Sequence, residues 1–251
     1  MTVEEKLVNE AIKKSNGLTL DRVCVGVGYS GVKLSNGNAG SAYTFRSKLG
    51  HACGVISKAG ELKGTRAEDA VKWLLSDNLA EAAIGMATIN AILNQGYEPG
   101  EELAKGVKCD SDDVVGMVGW FCPLVKKFQK ANEFYIFEQD PNGVDSVENA
   151  QILSAERAFD ILPKCNRVVL TATSFINKTA DKLLSCLKPG AEVVIVGAST
   201  PIAPDVLREY GVTLLAGAQI TDADKLLTIL SEGGGGRDIS RASVKLLVKT
   251  K

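Results

Sequence analysis

Glu138 is the acid best placed to do chemistry. It closes an apolar run, Phe134, Ile136 and Phe137, and stands 22 positions after Gly116. In a dinucleotide-binding unit an acid at about that distance accepts hydrogen bonds from ribose hydroxyls. The glycines do not complete that fingerprint. Gly116-Met117-Val118-Gly119 lacks the full G-x-G-x-x-G pattern, and Trp120 and Phe121 fill the space where a phosphate would approach. Two readings of Glu138 stand: an acid facing a ligand, as hydroxyl acceptor or general base, and a solvated acid at a strand end.

Two later stretches carry polar groups just past apolar runs. Thr171, Thr173 and Asn177 follow Val168, Val169 and Leu170, while Ser199 and Thr200 follow the run ending at Val196. If the runs are parallel strands, their ends share one rim with Gly119, Phe121 and Glu138, and the polar groups converge there on a ligand. Free N–H groups at the following helix starts would help to hold an anion. Thr and Ser also favour helix caps, so capping competes at each position. Asn38, Ser41, Tyr43 and Thr44 are grouped in an earlier stretch. Asn38 and Tyr43 are expected to cover the pocket, against plainer roles as a hairpin residue and a core tyrosine.

Other chemistries have thinner support. Cys122 beside Pro123, at a helix start, is a candidate nucleophile; a buried inert thiol is the alternative. His51 is the single histidine. It rules out most zinc sites and supports no Ser-His-Asp arrangement, leaving a structural residue or a lone base. The six cysteines are scattered without a Cys-x-x-Cys, so reduced thiols are expected and no metal-ligand set is assigned. A net charge of -1 without a basic run gives no nucleic-acid surface. No apolar stretch reaches membrane-spanning length. The opening MTVEEKLVNEAIKK is polar and amphipathic, unlike a signal peptide, so a cytoplasmic location is expected.

The elements that must position these residues fall into two groups. Residues 1 to 16 read as a helix with a Thr2/Glu5 capping box. A strand with alternating Val23, Val25 and Val27 follows, then a second around Val32 and Leu34, a hairpin at Ser35 to Asn38, and a returning strand from Ala42 to Phe45. Thr65 to Glu68 forms another capping-box pattern, and Asn78 to Leu93 a deeply packed helix. The polar stretch from Tyr97 to Asp112 reads as a linker, with the boundary near residue 105. Beyond it strand and helix alternate, which argues for a parallel sheet covered on both faces. The opening unit runs from Val114 through a helix to Glu138. Ser154 to Leu162 reads as helical, and later strands fall at 166–172, 192–196, 212–215 and 244–248. Gly233 to Gly236 reads as mobile or turn-rich. The expected class is therefore α/β, with a small α+β domain (1–105) before a parallel-sheet domain (106–251).

The segments NGNAGSAYT, VGWFCP, FEQDP, TATSFINKT, VGASTP and GVTLLAGAQITDADKLLTILSEGG, in that order, resemble the putative heavy-metal chelation family over nearly the whole chain. The resemblance implies an enolase N-terminal-like domain, then a Rossmann-like domain, with a pocket between them. It implies no enolase chemistry. The second domain is similar to that of Rossmann-fold methyltransferases, but the glycine-rich acidic loop expected for S-adenosylmethionine is missing. The roles suggested for the family are condensation or hydrolysis of pterin-, flavin- or siderophore-like molecules. The expected partner is thus a small molecule, a metal chelator among the candidates, with no cofactor specified and no nucleic acid or membrane. Apolar helices in the first domain are compatible with a homodimer. A non-catalytic binder of a metal or metal chelate, and a nucleotide-sensing module, are the alternatives to an enzyme.

Overall fold

The computed structural model describes residues 1–49 and 54–250; the expectation for His51 lies outside the described residues. Helix α1 (Val3–Lys14) starts under a complete capping box. Thr2 Oγ1 accepts from Glu5 N at 3.2 Å, and a Glu5 carboxylate oxygen accepts from Thr2 N at 2.8 Å. Strands β1 (Leu20–Val25), β2 (Tyr29–Leu34) and β3 (Ala39–Tyr43) form an antiparallel meander in that order. Gly37 supplies the positive φ (+89°) of the β2–β3 turn. The valine alternation does not bury this edge: Val25 and Val27 are exposed.

Helix α2 (Ala67–Ala70) lacks the expected capping box, and no side chain caps its start at Arg66. Thr65 is spent elsewhere, its carbonyl accepting from Leu20 N at 2.9 Å. Helix α3 (Leu79–Leu93) is capped by Asn78, which accepts from Ala80 N and Glu81 N. Small residues let it lie backbone to backbone on both neighbours. A Cβ on Gly40 of β3 would sit 2.2 Å from Ala87 O, and one on Gly85 would sit 2.1 Å from Leu74 N. The alanine-rich composition follows from that close approach, since larger side chains would hold the layers apart.

Helix α4 (Leu103–Gly106) interrupts the stretch expected to be a plain linker. The larger sheet is then assembled by β4 (Val114–Val118), α5 (Cys122–Phe128), β5 (Glu133–Glu138), β6 (Gln151–Ser154), α6 (Ala158–Ile161), β7 (Arg167–Thr171), α7 (Thr173–Ile176), α8 (Ala180–Ser185), β8 (Glu192–Val196), α9 (Pro204–Arg208), β9 (Leu214–Ile220), α10 (Ala223–Ser231), α11 (Gly236–Ile239) and β10 (Ser243–Lys249). Its seven strands run in the order β10-β9-β8-β7-β4-β5-β6. All neighbours are parallel except β10, which closes one edge antiparallel to β9. The chain order reverses between β4 and β7, the switch point at which doubly wound sheets open a crevice.

Two further elements, β6 and α7, depart from the sequence reading. Strand β6 occupies residues read as the lead into a helix; only four residues long and half-buried, it carries no strong alternation. Helix α7 fills what read as a loop after β7. Gly233 to Gly236 is a turn into α11, in keeping with the turn-rich reading, with Gly234 N donating to Ile229 O at 2.8 Å.

One face of the large sheet packs against α4 and α5 through residues such as Met117, Ile136, Val169 and Val196. The other face, with Val168, Leu170, Ile195 and Leu215, belongs to an apolar cluster that continues into α1, α3 and the small sheet. That shared core fixes β3 against the carboxyl end of β8.

Candidate functional site

Gly119 and Thr171 meet at the switch point. Gly119 ends β4 with φ +95°, and its N–H donates to Phe137 O of the adjacent strand at 3.0 Å. A Cβ there would lie 3.1 Å from Thr171 Cβ and 3.4 Å from the Phe121 ring. Glycine at this turn therefore brings Thr171 and Phe121 together. Thr171 Oγ1 and Thr173 Oγ1 are 3.0 Å apart and form a half-buried hydroxyl pair. Ser174 Oγ donates to Thr171 O at 2.8 Å and holds the turn after β7.

Glu138 ends β5 on the other side of β4, half-buried. Burial pushes its carboxyl above the usual carboxylate range, and the charge of Asp140 adds to that shift. The nearby backbone N–H groups of Gln139 and Trp120 oppose that shift. Glu138 is thus coupled through Trp120 to the residue after Gly119. Gly119, Phe121, Thr171, Thr173 and Glu138 share one stretch of the carboxyl edge.

Gly116 has a different task from the one its motif suggested. A Cβ on it would meet a Leu162 methyl at 2.5 Å and Cys165 Sγ at 3.0 Å. It is a core packing glycine, remote in role from any phosphate.

Ser199 and Thr200 do not present hydroxyls to an open rim. They are 1% and 0% exposed. Ser199 Oγ accepts from Tyr43 N at 2.8 Å, which ties β3 to the end of β8. Ser41 Oγ reaches Ala198 O at 3.4 Å beside it. Thr200 Oγ1 is buried without a partner, while its carbonyl accepts from Asn94 Nδ2 at 2.9 Å. Tyr43 is half-buried, its ring edge-on to Tyr29 and Phe45 with centroids 5.6 and 5.0 Å away. Asn38 lies in the hairpin turn before β3, its N–H donating to Asn36 Oδ1 at 3.1 Å. Five strand steps, roughly 17 Å, separate it from Tyr43, so the two do not cover one pocket. Asn177 Oδ1 accepts from Thr179 Oγ1 at 2.7 Å and closes the end of α7.

Cys122 is exposed, against the expectation of a buried thiol, and Trp120 Nε1–H points at its Sγ at 3.1 Å. The five described cysteines are free. Among the described residues no three His, Cys, Asp or Glu side chains are grouped to hold a metal ion. No helix among the described residues is long and apolar enough to cross a membrane.

Sequence reasoning missed Asn94. It reads as the stop of α3, yet its carboxamide makes three bonds across to the large sheet region: to Thr200 O at 2.9 Å, to Ala218 O at 3.0 Å, and from Ile202 N at 2.7 Å. Only the i,i+4 spacing from Asn90, itself bonded to Ser41 O at 2.9 Å, hinted at a polar seam along this helix.

The chain matches two family models, both described as "putative heavy-metal chelation", over residues 8–93 and 103–249. It is 26% identical over 190 residues to an uncharacterized protein of Methanocaldococcus jannaschii, covering 73% of this chain and 72% of that one. Crystal structures of two proteins of unknown function share the fold. The one from Pyrococcus horikoshii superposes with a TM-score of 0.81 at 21% identity, over 98% of this chain and 99% of that one. The one from Desulfitobacterium hafniense gives 0.78 at 24% identity, over 98% of each chain. With more than half of its length matched by one of these models, the chain belongs to the putative heavy-metal chelation family.

Proposed function

We propose that the chain binds an oxygen-rich small molecule of the chelator type at the switch point between β4 and β7, and acts on it by condensation or hydrolysis. The observation that carries this reading is Glu138: a half-buried carboxylate with a raised pKa at the end of β5, on the same carboxyl edge of the sheet as Gly119 and Thr171. A carboxylate with a raised pKa is a better base near neutral pH than a solvated one. In this role Glu138 accepts a proton from a ligand hydroxyl or an attacking water. Thr171 and Thr173 hold the ligand's polar edge. In this reading the metal enters as part of the ligand's own chemistry.

A second reading is capture of a metal chelate without turnover. It is favoured by the backbone N–H groups of Gln139 and Trp120 beside Glu138, which work against the upward shift from burial and suit a fixed acceptor. A thermal-shift panel of pterins, flavins, catechol chelators and free metal ions separates the cases. A ligand at about 100 times its Kd adds roughly 2.7 kcal/mol to native stability. A binding chelator that is also consumed, with turnover lost in Glu138→Gln, supports the enzyme. Binding without consumption supports capture. Stabilisation by free metal ions alone defeats both.

A further inference from the structure

On the face of the large sheet away from the small one, a hollow of about 440 Å³ opens between the ends of β8–β10 and the segment that carries α4 and the start of α5. Its floor is Val196, Ala216 and Leu247, which stand side by side on three neighbouring strands; Ala216 pairs with Leu247 and Val196 pairs with Ala216. Its roof includes Leu103 and Phe121. The short side chain of Ala216 between two larger ones makes the dip. Gly197, at φ +129°, borders the hollow where a side chain's Cβ would meet nothing closer than 4.0 Å. Glu101, Glu102 and Lys245 are exposed at the mouth. The volume lies within the range of small-molecule sites.

Phe121 links this hollow to the polar rim. Its ring lines the hollow and also lies 3.4 Å from the Cβ position of Gly119, next to Thr171. Phe121 is thus shared by the apolar slot and by the contact between Gly119 and Thr171. We infer that the slot is a binding site for a flat aromatic ring system, and that the molecule taken by this protein is amphipathic, with an apolar ring under Phe121 and an oxygen-bearing edge toward Thr171. This rests on the proposed function for the polar edge alone; the slot stands on its own geometry. A floor of three neighbouring strands and an aromatic side chain in the lining favour a planar occupant over a flexible chain, since stacking on aromatic faces rewards flatness and a chain pays rotamer entropy on ordering.

Three probes test the inference with the full-length protein. Lumichrome presents a flat fused ring system, apolar at its dimethylbenzo end and polar at its dione edge; 2,3-dihydroxybenzoate presents one small ring with an oxygen edge; and dodecanoate presents a flexible chain. Binding is followed by quenching of tryptophan emission, Trp120 being next to Phe121. Ala216→Leu fills the dip, and its melting temperature is measured beside wild type; Ala216→Val fills it in part should the larger residue unfold the sheet. The expected result is lumichrome binding that weakens about tenfold or more in Ala216→Leu and less in Ala216→Val, with dodecanoate at least about tenfold weaker than lumichrome in wild type. The inference is overturned if lumichrome does not bind, if folded Ala216 variants bind it as wild type does, or if dodecanoate binds more tightly. Glu138→Gln and the dihydroxybenzoate probe report separately on the polar edge. No dihydroxybenzoate binding to wild type, or binding unchanged in Glu138→Gln, with lumichrome still lost in the Ala216 variants, therefore sinks the proposed function and leaves the slot.

Discussion

The carboxamide of Asn94 donates to Thr200 O at 2.9 Å, and it is 1% exposed. With its bonds to Ala218 O and from Ile202 N, one side chain at the end of α3 satisfies three backbone groups that follow β8 or lie in β9. Asn94→Ala strands those groups in a dry seam. It is expected to cost about 2–4 kcal/mol, measured as a lowered urea midpoint. Asn94→Asp keeps the acceptor for Ile202 N but sets a carboxylate against two carbonyls, and should be no better. A loss under about 1 kcal/mol for Asn94→Ala would show that water replaces the amide freely.

Gly40 tests the close packing of β3 on α3. Its Cβ would fall 2.2 Å from Ala87 O and 2.4 Å from Ala91 N, both backbone atoms that cannot rotate away. Gly40→Ala should destabilise by about 3 kcal/mol, through overpacking that separates strand from helix. Since Tyr43 ends the same strand, its bond to Ser199 should loosen as well, and faster hydrogen exchange at the Tyr43 amide would register this.

Two acids should make the protein less stable as pH rises. Glu4 is 4% exposed with Oε1 unpaired. Burial pushes its carboxyl above the usual 4.5, and Asp181 adds to that, while its backbone hydrogen bond, Thr2 and Lys178 oppose it. Glu138 is raised for the same first reason. In the window above 4.5 the unfolded chain releases a proton that the folded chain still holds. Folding therefore takes up protons there, and stability falls as pH rises until the folded groups ionise. Glu4→Gln and Glu138→Gln should thus melt above wild type near neutral pH, with the difference shrinking below the carboxylate range. For Glu138→Gln the gain accompanies lost ligand binding, the trade expected of a working group. Equal melting temperatures at neutral pH would refute the assignment.

The described cysteines should differ sharply in reactivity. Cys122 is exposed beside Trp120 Nε1. Cys165 is buried, and burial first, then the charges of Glu133 and Cys186, pushes its thiol up to about 12. Iodoacetamide under native conditions should alkylate Cys122 first and leave Cys165 untouched, since the thiolate is the reacting form. Peptide mass spectrometry reads the order, and a change in tryptophan emission should accompany the first modification. Early labelling of Cys165 would contradict the packing around Gly116.

Arg167 anchors the edge opposite the site. Its guanidinium pairs with Asp113 and Glu192 and lies 3.2 Å from Asp110, while Asp113 also accepts from Asn166 Nδ2 at 2.9 Å. Arg167→Met leaves Asp113, only 3% exposed, without its cation. The expected cost is about 3 kcal/mol, measured by denaturant unfolding.

Much of the large sheet could be read from the chain because each strand carries its own signal. The runs at 114–118, 133–138, 167–171 and 192–196 are apolar, short and bounded by turn residues, as strands buried on both faces must be. Strand β6 could not, because an edge strand of four half-buried residues needs little hydrophobicity. The site was legible only where function and local geometry coincide. Glu138, Gly119, Thr171 and Thr173 sit at strand ends, which sequence can locate. Ser199 and Thr200 sit at a strand end too, but the small sheet packs over them, and no local pattern announces that.

The alternation of strand and helix, the order of elements and the acid closing β5 were settled by the amino-acid sequence, because each follows from contacts between residues near one another in the chain. Tertiary structure alone decided that Asn94 is spent across the seam, that Ser199 holds β3, and that Phe121 lines an apolar slot while lying beside Gly119. Those outcomes depend on pairs of residues far apart in sequence, as the 106 positions between Asn94 and Thr200 illustrate. Burial and hydrogen-bond partners are set only when such segments meet.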